Sequence, residues 1–274
     1  MHVVPLDVVV EGRRHVEGVD LGPRELLAAL ARGARVSTSQ PSPAAFAAAY
    51  RRAAAAGARE VVSVHLSGEL SGTVTAARLA AGSAPLPVRV VDSRTVGMAL
   101  GFAVLAGARA AVPPPAPRRR WPWSTPAPEP LDGGEVAARV HAAAATSRVW
   151  FLVDSLEHLR RGGRLSTAAA AMGTVLGLRP LLTVESGRIV VAEKVRTRRA
   201  ARDRLEALAA ADVAGRPGGG RVAVHHLEQP EVAGEIVSRL AGLPGVVEAV
   251  ACDAGAVLGA HVGPGVLAVV VADA

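Results

Sequence analysis

The sequence predicts a mixed α/β protein, with a parallel sheet in its first half and antiparallel strands in its second. Three observations carry this. Short apolar runs alternate with helix-periodic segments as far as Ala110, the pattern of βαβ units. The stretch "RPLLTVESGRIVVAEKVR" places two apolar runs around Ser186-Gly187, which is a hairpin signal. A chain of 274 residues, 50% of them apolar, is long enough for one large α/β domain or two ordinary ones. Aromatic residues make up only 3%, so Ala, Val and Leu must build the core.

In order, "VVPLDVVVEG" reads as a strand with a turn at Glu11-Gly12. "GVDLGPRELLAALARG" is a helix with Asp20 as N-cap, Pro23 near its first turn and Gly33 as its stop. "VSTSQPSPAAFAAAYRRAAAAGA" is a polar loop entering a second helix, capped by Ser42 with Pro43 behind it. "EVVSVHL" is a continuous apolar run, read as a strand buried on both faces. A Ser-Gly loop follows, with Ser67-Gly68 and Ser71-Gly72, and a helix opens near Thr73. "VRVVDS" is a strand and "VGMALGFAVLAGARAA" a helix. Residues 112–134 are rich in Pro and Arg and lack periodicity, which suits a solvated insertion. A docking motif made by Trp121 and Trp123 is the alternative there. "RVWFLVDS" resumes as a strand, and "LEHLRRGGRLSTAAAAMGTVLGL" leads to the hairpin. Beyond it come an arginine-faced helix, a strand "VAVHHL", a helix "EVAGEIVSRLAGL" and a strand "VVEAVAC". The tail "VLGAHVGPGVLAVVVA" carries a turn and a last strand.

Net charge is +7, from 31 basic and 24 acidic residues. Lys194 is the sole lysine, so the excess follows an Arg, Ala, Gly and Pro bias rather than a nucleic-acid stripe. A nucleic-acid binder would add stacking aromatics, and Tyr50 is the only tyrosine. Cys252 stands alone, which excludes an intrachain disulfide and a cysteine-paired zinc site. The N-terminus lacks a basic region and is broken by Pro5 and Asp7, so no signal peptide is read. The apolar run from Val96 to Ala108 is too short to span a bilayer, and stable membrane insertion is not expected. The expected location is the cytoplasm.

Three polar stretches could meet a ligand: Ser37-Thr38-Ser39-Gln40, Ser67 to Thr73, and His261 in "GAHVGPG". In open α/β sheets ligands collect at strand ends beside helix N-termini. Free N–H groups and the helix dipole favour an anion there, and small hydroxyl residues add donors without bulk. Each stretch is weak on its own: ordinary capping accounts for Ser37 to Ser42, a tight turn for the Ser-Gly loop, and a structural histidine satisfied by backbone for His261. No GxGxxG follows a strand, "GRPGGGRV" lacks the end of a P-loop, and "GELSG" is not the hydrolase elbow. His65, His225, His226 and His261 show no metal spacing, although His225-His226 could ligate. Asp92 and Asp154 each end a strand beside a serine, as turn residues do, and Glu157 follows.

Taken together the chain resembles the DegV family of fatty-acid-binding proteins. The resemblance rests on "STSQPSPAAFAAAY", "VVSVHLSGELSGTVTAARLA", "VRVVDSRTVGMALGFAVLAGA", "FLVDSLEHLRRGGRLSTAAAAMGTVLGLRPLLTVESGRIVVAEKVRTRRAA" and "VLGAHVGPGVLAVVV". It implies a two-domain fold, here 1–146 with the Pro-rich insertion and 147–274. It also implies an apolar tunnel holding one long-chain fatty acid, with no cofactor. The protein would carry the lipid for a separate fatty acid kinase subunit, and the acid becomes an acyl phosphate there. By motif, Thr38 and Ser71 hold the carboxylate, with Ser39 and Gly72 beside them, and His261 lies near the head group. Arg196, Arg198 and Arg199 match the basic segment linked to the kinase or to the phosphate. The family pattern opens with a strand ending in a D-S-x-x-x-L-P type loop upstream of "VVPL". Here Met1 falls just before that stretch, so the first strand is expected to be missing. Two other readings stand beside the carrier. One is an acyl hydrolase or transferase using Ser71 or Ser67 with His261 as base. The other is a degenerate member without ligand.

Overall fold

The structure, a computed structural model, describes residues 1–112, 130–165 and 179–274. The Trp121-Trp123 segment and the stretch 166–178 lie outside the described residues.

The chain opens with a small antiparallel sheet in the order β2-β1-β3, built from β1 (Asp7–Val10), β2 (Arg13–Val16) and β3 (Val36–Ser39). The turn at Glu11-Gly12 is as expected, with both residues at positive φ. The two flanking strands correct the reading. β2 is charged, and "STSQ" is not wholly a loop: Thr38 pairs with Val8 in β3. Backbone pairing with β1 outweighs the polar side chains, half of which alternate into solvent. Helix α1 (Pro23–Ala31) joins β2 to β3. Its N-cap is Gly22, whose N–H donates to Glu25 Oε2 at 3.1 Å, and not Asp20, whose carboxylate turns back to the Val16 N–H. Pro23 fixes the helix start two residues beyond the reach of Asp20.

Next come α2 (Pro43–Ala55), β4 (Val61–His65), α3 (Thr73–Ala81), β5 (Val88–Asp92), α4 (Met98–Ala110) and α5 (Gly133–Thr146). Ser42 caps α2 as expected. β4 and β5 pair in parallel, and among the described residues β4 pairs with β5 alone. Hence β4 is half-buried rather than wholly enclosed, apart from His65. Phe46 and Tyr50 of α2 and Ala76, Ala77 and Ala80 of α3 cover one face of this pair. Ala103 of α4 and Val140 and Ala144 of α5 cover the other.

The rest builds a six-stranded mixed sheet in the order β10-β9-β11-β6-β7-β8. Its strands are β6 (Arg148–Leu152), β7 (Arg179–Glu185), β8 (Arg188–Val195), β9 (Gly220–His226), β10 (Val246–Asp253) and β11 (Leu267–Asp273). Only β9 and β10 run parallel; the other neighbours are antiparallel. The central strands β9 and β11 are covered on both faces and alternate which core they feed, while the outer strands β8 and β10 expose charged residues. Val222, Val224, Val269 and Val271 meet α7 (Arg198–Ala214) and α8 (Pro230–Ala241). Ala223, Ala268 and Val270 meet α4 and the short α6 (Glu157–Arg161) on the opposite side. The tail has the expected turn, at Pro264-Gly265, and its last strand; the reading missed helix α9 (Gly255–Val262) just before them, which packs Ala256, Val257 and Ala260 against Val8, Leu21 and Leu26. Burial of those small residues overrides the glycines on either side.

Candidate functional site

Between the small sheet, the Ser-Gly loop and the inner face of the large sheet lies a narrow cavity that opens to solvent. Its walls are aliphatic, with Leu6, Leu66, Leu70, Val149, Phe151 and Ile189 among them. Polar groups are few: Thr38, Ser71, Arg164, His225 and His261. A single apolar chamber with a handful of polar groups is the usual form of a small-molecule site.

Thr38 and His261, 223 positions apart, share a hydrogen bond of 2.8 Å between Oγ1 and Nε2. β3 supplies the first and the last turn of α9 the second. Ser71 stands at the mouth of α3, where its Oγ accepts the Thr73 N–H at 3.4 Å. Neutral hydroxyls, an imidazole and a helix N-terminus in the wall of an apolar chamber can receive an anionic head group. Burial lowers the His261 pKa to about 4, and the Arg164 guanidinium pushes the same way. The ring is therefore neutral at pH 7.

Arg164 went unread in the sequence. Its Nε donates to the Leu70 carbonyl at 3.0 Å and its Nη1 to that of Gly162, which fixes a cation on the cavity wall. "LRRGGR" belongs to the stretches that carry the resemblance, but the reading gave Arg164 no role of its own. Gln40, read only as part of the polar stretch from Ser37, meets the Ser-Gly loop. Its carboxamide rests on Gly72, where a Cβ would stand 1.9 Å from Gln40 Oε1, so a larger residue there would displace the Gln40 side chain. His225 lines the chamber with its polar atoms occupied: Nε2 accepts the Met98 N–H at 2.9 Å.

Other expected residues lie elsewhere. Ser39 is exposed and donates to Asp7 at 3.4 Å. Ser67 is fully buried, and its Oγ donates to the Gly187 carbonyl at 2.7 Å. Arg198 bonds Asp154 at 3.1 Å, Arg199 faces Asp203 at 3.9 Å, and Arg196 is exposed just ahead of α7. These arginines are on the surface and do not line the chamber. Among the described residues no cluster of His, Cys, Asp or Glu could hold a metal ion. No described helix is long and apolar enough to cross a membrane.

The family model described as "Uncharacterised protein, DegV family" matches residues 1–112 and 131–274. The chain belongs to the DegV family. A DegV domain-containing protein of Streptomyces coelicolor is 45% identical over 274 residues, covering 98% of this chain and 90% of its own. A DegV family protein from Thermus thermophilus, described by its fatty acid binding, superposes with a TM-score of 0.84 at 32% identity. DegV of Bacillus subtilis, described as a fatty acid binding protein, gives 0.82 at 30% identity. Both alignments cover 100% of this chain and 92% of the other. The mixed α/β architecture is thus that of the DegV structures.

Proposed function

We propose that this DegV protein binds one long-chain fatty acid in the chamber and presents its carboxylate to a separate fatty acid kinase subunit in the cytoplasm. The observation that carries the reading is the Thr38–His261 hydrogen bond in the wall of an otherwise aliphatic cavity that Ser71 also lines. Each buried methylene is worth about 0.8 kcal/mol, so a long acyl tail offers roughly 10 kcal/mol before ordering costs. The tail dominates affinity, and the head-group residues set orientation. The relatives from Thermus thermophilus and Bacillus subtilis support the ligand class. A division into 1–146 and 147–274 fits this role, since Thr38 and Ser71 then come from one part and Arg164 and His261 from the other.

The carrier reading is preferred to a serine hydrolase on geometry. Ser67 is spent on Gly187, and His261 bonds a threonine. The serine–histidine pair present, Ser63 and His65, lies by Tyr50 and Phe46 and does not line the chamber.

Native mass spectrometry of the purified protein should show a bound acid, or uptake of oleate or palmitate after delipidation. Protein that stays empty refutes ligand binding. With a fatty acid kinase and ATP, loaded protein should yield an acyl phosphate trapped by hydroxylamine. Charge reversal at Arg196, Arg198 and Arg199 should lower that yield and leave oleate uptake unchanged.

A further inference from the structure

Helix α9, which carries His261, begins without a cap of its own, because Ala254 at its N-cap has no side-chain acceptor. Its free N–H groups are taken by Glu17, 240 positions upstream. Glu17 Oε1 accepts the Val257 N–H at 2.7 Å, and the Ala256 N–H bonds the same carboxylate. A Cβ on Gly255, at φ +77°, would stand 2.7 Å from that oxygen, so the chain leaves room for it. Glu17 is itself held: its N–H donates to the Leu6 carbonyl at 3.0 Å, and Leu6 is a cavity wall. At the far end of α9, His261 meets Thr38. The helix is thus pinned to the small sheet at both ends. Along the helix, Val257, Leu258 and Val262 line the chamber.

We infer that Glu17 is a positioning residue for the head-group site: through α9 it sets how His261 reaches Thr38 and how the helix walls the cavity. A carboxylate at the first turn both satisfies orphan donors and complements the helix dipole. The helix has eight residues, so a shift at its first turn is carried directly to His261 in its last. The inference deepens the fatty-acid reading and rests on it only for the effect on affinity.

The test compares E17A and E17Q in the full chain at 25 °C, with folding checked by circular dichroism. The readouts are the His261 ring signals by NMR without ligand, assigned with H261Q, and the affinity for oleate. E17A should shift the His261 signals and weaken oleate binding about tenfold, the scale of a lost cap. E17Q keeps an acceptor oxygen and should stay within about twofold of the parent protein. Unchanged His261 signals and affinity in E17A would overturn the inference, as would an E17Q that falls as far as E17A. If the parent protein takes up no oleate, the fatty-acid reading fails, while the ligand-free signals still decide the role of Glu17. Should E17A not fold, E17D, which withdraws the carboxylate by one methylene, carries the same comparison.

Discussion

His65 is buried and His261 partly so, and loss of water brings each pKa down to about 4. In the unfolded chain both titrate near 6.5. Below that pH the unfolded chain takes up protons that the folded one refuses. The contribution of these rings is complete above pH 6.5 and is lost as pH falls towards 4. The urea midpoint should fall across that window, and a flat midpoint would contradict the burial argument. Thr38→Val removes the hydroxyl and keeps the β-branch that suits β3. Oleate affinity should drop about tenfold by calorimetry, with the unfolding free energy changed by less than about 1 kcal/mol. At this scale the sequence showed Thr38, Ser71 and His261 only through their motifs. No local signal says that two residues 223 positions apart will meet. Arg164 stayed hidden because its guanidinium is aimed by carbonyls of Leu70 and Gly162, and one of these lies 94 positions away.

Among the elements, the β7–β8 hairpin is the one whose docking to the Ser-Gly loop can be tested cleanly. Ser67 bonds the Gly187 carbonyl at the hairpin tip, Arg94 bonds the Ser186 carbonyl at 2.8 Å, and Arg188 pairs with Glu69 at 2.7 Å. The last of these is exposed and contributes little. The buried Ser67 bond matters more, since its loss strands a carbonyl. Ser67→Ala should destabilise by about 1–3 kcal/mol in urea unfolding, and a neutral result would show that water replaces the hydroxyl. The hairpin was legible from its turn pair, and α2 from Ser42 and Pro43, because those signals act within a few residues. β2, β3 and α9 were not. Two are short polar strands made by pairing with β1, and the third is a glycine-flanked helix held by packing and by Glu17.

Over the whole molecule, alternating apolar runs were enough to predict a mixed α/β fold, yet they gave no sign of a void. An apolar residue in a wall and one in a solid core look the same in sequence. Ala268 of β11 is such a wall residue, buried and close to Phe151, with which it pairs across the strands. Ala268→Phe should fill part of the chamber. Losing room for three or four methylenes, at about 0.8 kcal/mol each, weakens oleate about a hundredfold and spares a shorter acid. Equal loss for both chain lengths would place the tail elsewhere. The same walls run from Leu6 to Val270, nearly end to end of the chain. An occupant therefore acts as mortar between the beginning and end of the polypeptide. At a hundredfold excess over Kd it adds about 2.7 kcal/mol to folding, so protease resistance should report how much of the population is laden.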